Sequence, residues 1–257
     1  MNSDGDFFTG IDQTEITAGE ITLPAPAFYR QVQMMLAVFT ADLAVARDLL
    51  PSERFRPLTL LPGRALIGVN CFEYGDTPVG RYNEVSISIG IQIDQPWLPT
   101  SLAVARSTLS QDFHAYILTL PVNTEIAWRA GVEIFSYPKF LADIRFTEVG
   151  PRRRCEVQDR ETGALIFAFE GEKLRTRSRP RDEATFHSYP IIDGSPAHAR
   201  MRVNQLERGG TMLGRGFRIQ LGEHEGSRSL AALSPGRLLQ YTYVPRSEAI
   251  LYAPVPL

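Results

Sequence analysis

Between Glu84 and Ile93 the chain alternates strictly. Apolar side chains occupy Val85, Ile87, Ile89, Ile91 and Ile93, while Glu84, Ser86, Ser88, Gly90 and Gln92 fall between them. A two-residue period puts the two sets on opposite faces of a strand, so this segment predicts a strand with one greasy face and one face of small polar groups that carries Glu84. Strand-like text recurs at residues 65–74, 113–120, 140–149, 217–221 and 238–244, and residues 155–171 read as a hairpin turning at 161–163. Helical text is sparse. Over residues 40–51, Leu43, Ala46, Leu49 and Leu50 recur at helical spacing, with Asp42 as N-cap and Pro51 as a stop. A shorter helix is predicted over 124–130, ended by Gly131 in the left-handed position that follows a helix. So many strands need closure or stacking to protect their edges. The expected class is therefore mainly β (β-rich α+β), a closed barrel or double sheet with a few short helices. No Pro/Gly/Ser linker divides the chain, so residues 1–257 are read as one domain, with 1–23 as an extended N-terminal arm. The GxG at 214–216 lacks the strand-to-helix setting of a nucleotide fingerprint and is read as a turn.

Composition narrows the function classes. The chain is 44% hydrophobic and 22% charged with a formal net charge of -2, the balance of an ordinary soluble globular protein. Arginines cluster at 152–154 and 175–181, expected as solvated strand ends, and acidic residues nearly balance them. No basic field for nucleic acid results. The N-terminus is acidic where a signal peptide would be basic, and the longest apolar runs, such as residues 34–39, are far short of a membrane span. A soluble, cytoplasmic protein is expected. Cys71 and Cys155 each sit in strand-like text, which suits two buried thiols, and the four histidines are scattered, so neither a metal site nor a cofactor is expected.

The candidate chemistry comes from lysine. Of 27 lysines and arginines only Lys139 and Lys173 are lysine. A chain that fills nearly every cationic position with arginine keeps lysine where a guanidinium will not serve, and what lysine alone offers is an amine that can lose its proton and attack a carbonyl. Lys173 lies among alternating charges and reads as a solvated surface residue. Lys139 lies in EIFSYPKFLADI, residues 133–144, among Ile134, Phe135, Tyr137, Phe140 and Leu141. The bland alternative is a snorkelling stem whose ammonium reaches water or pairs with Glu133 or Asp143. A nucleophilic role needs the amine shifted down by several units from its ordinary value near 10.4, and burial among these rings is the setting that does so.

GVEIFSYPKFLADI resembles the active-site segment of the acetoacetate decarboxylase superfamily, where a glycine and a glutamate precede a short Y/F-P-K stretch. GDTPVGRYNEVSISI, residues 75–89, resembles that family's G-x-Y-x-E strand through Gly80, Tyr82 and Glu84. The resemblance spans roughly residues 25–175. It implies a β-barrel-like fold of two packed sheets that assembles into homo-oligomers, with no cofactor and a small keto-acid substrate. Lys139 then matches the Schiff-base lysine and Glu84 the glutamate that moves protons; Tyr82, Tyr137 and Phe140 would shape the pocket. Arg30 would hold the substrate carboxylate, although it stands out of register by a residue or two. The second lysine of the decarboxylases proper is replaced by Phe140, and their other glutamate falls near Val69 or Asn70, with Glu73 as the only nearby substitute. The expected function is a lyase that forms a lysine imine with a small keto acid and decarboxylates a β-keto acid such as acetoacetate. A pyruvate-type aldolase or dehydratase using the same imine, and a non-catalytic small-molecule-binding barrel, remain open.

Overall fold

The computed structural model describes residues 7–95, 97–178, 182–212 and 214–257. Seven strands close a barrel. Around the wall they run Tyr82–Ile93, Asp112–Thr119, Glu183–Ser188, Ser195–Met212, Leu238–Pro256, Ala27–Asp42 and Arg64–Asp76, the last pairing back onto the first. Neighbours are antiparallel except at Asp112–Thr119 and Glu183–Ser188, which pair in parallel. A second sheet of four strands, Phe217–Leu221, Leu165–Glu172, Arg152–Gln158 and Asp143–Val149, packs against one flank. The mainly β architecture expected from the alternation is the one observed.

The two faces of the Tyr82–Ile93 strand explain its text. Val85, Ile87, Ile89 and Ile91 point outward into the core between barrel and second sheet, where they meet Val157, Phe167 and Phe169. Glu84, Ser86 and Ser88 point inward and line the barrel cavity. The Ala27–Asp42 strand is buried on both faces, with Met35, Ala37 and Phe39 in the inter-sheet core and Tyr29, Val32 and Met34 in a second cluster inside. Its apolar run therefore shows no period of two.

Helix α1, Leu43–Asp48, starts as expected: Asp42 is the N-cap, and its Oδ1 accepts the Val45 N–H at 3.0 Å. Helix α2, Thr100–Ser110, was not foreseen. Only Thr100 is buried in it while Leu102 and Leu109 face solvent, so it lacks the apolar stripe by which a helix is read. Helix α3, Glu125–Glu133, corrects an expectation. It runs through Gly131, which is buried inside it and takes no left-handed conformation.

Two further expectations change. The N-terminal segment folds back as a hairpin, Thr14–Ala18 with Ile21–Ala25, and buries Ile21 and Leu23 beside Ala130 of α3; residues 1–6 lie outside the described residues. Arg152, Arg153 and Arg154 are not solvated ends. Arg152 pairs with Glu170 and Glu172 at 3.1 and 2.9 Å, Arg153 with Glu73 at 2.6 Å and Arg154 with Glu156 at 2.8 Å. In the other cluster, residues 179–181 lie outside the described residues. Lys173 is a half-exposed partner of Glu148 at 2.7 Å, and both cysteines are buried as free thiols.

Candidate active site

Lys139 is placed by its backbone. After α3 the chain reverses through Ser136, at φ 52°, and the Tyr137 N–H donates to the Gly131 carbonyl at 3.0 Å. The Leu120 N–H then donates to the Pro138 carbonyl at 3.1 Å and the Val122 N–H to the Phe140 carbonyl at 3.0 Å, which ties the lysine segment alongside residues 120–122. The Trp128 indole N–H donates to the Lys139 carbonyl at 3.2 Å. In this extended stretch, side chains alternate. Tyr137 and Lys139 turn into the barrel, whereas Phe140 turns away and packs against the inter-sheet core.

Inside, the Lys139 Nζ lies 2.6 Å from Glu84 Oε2, and the two side chains are only 6% and 9% exposed. The Tyr74 hydroxyl donates to Glu84 Oε1 at 3.3 Å, so both carboxylate oxygens are engaged. The ammonium also stands 5.5 Å from the Tyr82 ring centroid. The Tyr82 hydroxyl donates to that of Tyr29 at 3.4 Å, and Tyr137 shares a hydrogen bond with Ser188 at 2.8 Å. Burial pushes the phenols of Tyr29, Tyr74 and Tyr82 above their ordinary value, and the Glu84 charge adds to the rise. Burial likewise lifts Tyr137, to about 12. These tyrosines are neutral hydrogen-bonding groups around one ion pair.

The cavity holding the pair has a volume of about 430 Å³. Its wall is largely apolar and aromatic, including Leu23, Leu36, Phe72, Phe113, Phe186 and Leu251, with Asn70, Ser86 and Ser88 adding small polar groups. A mostly apolar pocket with a few convergent polar groups is the usual form of a small-molecule site.

Of the residues expected from sequence, Lys139, Glu84, Tyr82 and Tyr137 come together. Arg30 does not. It is exposed on the outer face of its strand, with its guanidinium 4.6 Å from the Phe8 ring centroid, because alternation sends its neighbour Tyr29 inward. Phe140 does not line the cavity either. Glu73 cannot replace a missing glutamate, since it points out of the barrel to Arg153. Lys139 pairs with neither Glu133, which bonds Arg129 at 3.0 Å, nor Asp143, which lies 3.8 Å from Arg160. Sequence reasoning missed Tyr74, whose only signal was its even spacing from residues 70 and 72. It also missed Gly131 as part of the site: a Cβ there would stand 2.3 Å from Cδ and Cε of Lys139.

A buried lysine paired to a glutamate inside a closed barrel can be set beside known proteins. Residues 14–252 match the sequence model of the family described as Acetoacetate decarboxylase (ADC). This chain belongs to the acetoacetate decarboxylase family. Among solved structures, the family member resembles an acetoacetate decarboxylase from Legionella pneumophila subsp. pneumophila str. Philadelphia 1 at 11% identity, with a TM-score of 0.63 over 91% of this chain and 87% of that one. It also resembles the enduracididine biosynthesis enzyme MppR complexed with pyruvate, at 13% identity and a TM-score of 0.56 over 88% and 87%. An acetoacetate decarboxylase-like enzyme from Sphingomonas wittichii RW1 follows at 15% identity and a TM-score of 0.52 over 90% and 92%. At these identities the likeness is one of fold. No curated protein matches the chain significantly. Within the acetoacetate decarboxylase family this member is divergent, at 11–15% identity to these structures.

Proposed function

We propose that this acetoacetate decarboxylase family member is a lyase that forms an imine between Lys139 and a keto acid and decarboxylates a β-keto acid. One observation carries the reading: the buried Lys139–Glu84 pair at 2.6 Å inside a cavity of about 430 Å³. Two charges withdrawn from water are costly, and passing one proton from Nζ to Glu84 Oε2 removes both, leaving a neutral amine beside a neutral acid. The amine lone pair adds to the ketone carbon. The resulting carbinolamine loses its oxygen as water, with Glu84 supplying the proton, and an iminium remains. The bond between the α-carbon and the carboxylate then breaks, CO2 leaves, and the electron pair moves into the iminium to give an enamine. Protonation at carbon and addition of water release the ketone and restore the lysine.

The same cavity supports this direction. With Arg30 outside it, the arginine in the cavity lining is Arg208, which is already paired with Asp182 at 2.9 Å, and a carboxylate among apolar walls is held less tightly than in water. CO2, being neutral, loses nothing there. A second reading has its own observation. The volume lies within the ~300–1,000 Å³ of sites for drug-sized ligands, leaving room for an aldehyde beside a pyruvate imine, where loss of an α-proton would give an enamine for aldol addition.

Borohydride reduction in the presence of acetoacetate or pyruvate, followed by peptide mass analysis, tests the imine. The expected result is an increment on the Lys139 peptide that is absent from Lys139→Arg. An unlabelled Lys139 peptide with both acids would leave a non-catalytic barrel. Release of CO2 and acetone from acetoacetate selects the decarboxylase, and an unsaturated product from pyruvate plus an aldehyde selects the aldolase.

A further inference from the structure

Three of the four histidines, scattered in sequence, meet on the barrel wall at the parallel seam. The seam pairs Asp112–Ala115 with Thr185–Ser188, four residues against four, and places His187 directly across from His114. Asp112 precedes His114 by two residues and shares its face. The imidazoles stack with centroids 4.4 Å apart and planes inclined by 10°. Both turn Nε2 toward one carboxylate: His187 Nε2 lies 2.6 Å from Asp112 Oδ1, and His114 Nε2 lies 3.6 Å from Asp112 Oδ2. Each ring is also anchored at its far nitrogen. His114 Nδ1 is 2.6 Å from the Tyr189 hydroxyl, and His187 Nδ1 is 2.6 Å from His198 Nε2.

We propose that Asp112, His114 and His187 form a site for a divalent first-row transition metal ion, with Tyr189 and His198 as its outer hydrogen-bond partners. One ligand atom from each of the three residues lies within 4.8 Å of the others. Two ligands about 2.1 Å from a tetrahedral metal sit roughly 3.4 Å apart, so the set closes once side-chain rotations draw the ligand atoms in and tilt the stacked imidazoles out of parallel, bringing both ring planes to the ion. The outer contacts favour a metal over a bare hydrogen-bond chain. A ligating histidine holds its proton on the nitrogen away from the metal and gives it to a fixed acceptor, which fixes tautomer and ring plane. Here Tyr189 and His198 stand where those acceptors are needed, while both Nε2 atoms face the Asp112 carboxylate. For His187 this asks only that a proton sit on Nδ1, donated to His198 Nε2, while Nε2 turns to the ion. Two imidazoles and one carboxylate suit zinc or iron(II) and leave coordination positions for water. The ion would join two strands at one of the shortest pairings in the barrel, so its first effect is on stability. The site uses no residue of the Lys139 chemistry.

The test uses the full chain stripped with a chelator, zinc chloride as titrant, calorimetry for affinity and thermal melting for stability. The expected result is one zinc per chain, a melting temperature that rises with zinc, and visible ligand-field bands when cobalt(II) is used instead. His114→Ala and His187→Ala should abolish all three, and Asp112→Asn, which keeps the side-chain shape, should weaken binding at least tenfold. Tyr189→Phe should cost on the order of 10-fold in affinity. The proposal is overturned by an absence of one-to-one uptake in the wild type, or by uptake and stabilisation that persist unchanged in Asp112→Asn and in the histidine variants. Circular dichroism identifies any variant that does not fold, in which case the shape-preserving Asp112→Asn decides.

Discussion

Gly131 and Lys139 share one space: a Cβ on residue 131 would stand 2.3 Å from two carbons of the lysine stem and 3.0 Å from its Nζ. The helix accepts a glycine in its interior, at a cost of about 1 kcal/mol relative to alanine, because the lysine must cross there to reach Glu84. Gly131→Ala should therefore invert the usual gain from replacing a helical glycine. Expected are a loss of about 1–3 kcal/mol from overpacking and a lysine displaced from the carboxylate. Chemical denaturation and borohydride trapping measure the two effects separately; a stabilised variant with full trapping would show that the crossing does not constrain the amine.

Glu84 can be altered in two ways that separate charge from chemistry. Glu84→Gln keeps a hydrogen-bond acceptor for Nζ but removes the proton acceptor, so turnover should fall by about 10²–10⁴-fold while the fold persists. Glu84→Leu leaves an ammonium buried without its partner, and breaking such a pair costs about 3–5 kcal/mol. Steady-state rates and denaturant midpoints on both variants check this. Equal turnover in Glu84→Gln and the wild type would remove Glu84 from the proton path.

How much of this was legible beforehand depends on what each signal measures. The alternation at 84–93 reports the environment on two faces, and it placed Glu84 on the correct one. Lysine scarcity marked Lys139. Their meeting could not be read, because it depends on the backbone bonds from Leu120 and Val122 that tie the lysine segment down, 55 residues from the glutamate in sequence. Arg30 was misplaced because it came only from the family resemblance, out of register by a residue or two, and the apolar run that follows at residues 34–39 gives no phase to correct it. The long Ser195–Met212 strand was missed for a related reason: bulges between His198 and Arg200, and again between Asn204 and Gly209, break its period. The histidine cluster rests on a parallel pairing of segments some 70 residues apart, which no local pattern encodes.

Tyr74 and Glu84 lie on neighbouring strands, and the 3.3 Å hydroxyl contact occupies the carboxylate oxygen that the lysine leaves free. Tyr74→Phe keeps the ring and its packing with Phe72 and Tyr82 but releases that oxygen. Stability should fall by only about 1 kcal/mol, the usual net value of one hydrogen bond. The proton transfers through Glu84 should suffer more, so kcat is expected to drop with KM nearly unchanged. A change confined to KM would assign Tyr74 to substrate packing instead.

The buried tyrosines also fix how the fold fails in alkali. Tyr137 ionises at about 12 in the folded chain against an ordinary 10.0, and Tyr29, Tyr74 and Tyr82 are raised as well, because burial disfavours the phenolate. A group raised on folding contributes stability that is complete below its unfolded value and is lost as pH climbs toward the folded one. From pH 10 upward the unfolded chain releases phenolic protons that the folded chain retains, and each such group tilts the balance toward unfolding. The barrel should hold its stability up to about pH 10 and lose it steeply between 10 and 12, with phenolate absorbance and loss of the β-sheet dichroism rising in one transition. Phenolate signal from these four residues appearing well before the dichroism changes would mean that the cavity is wet.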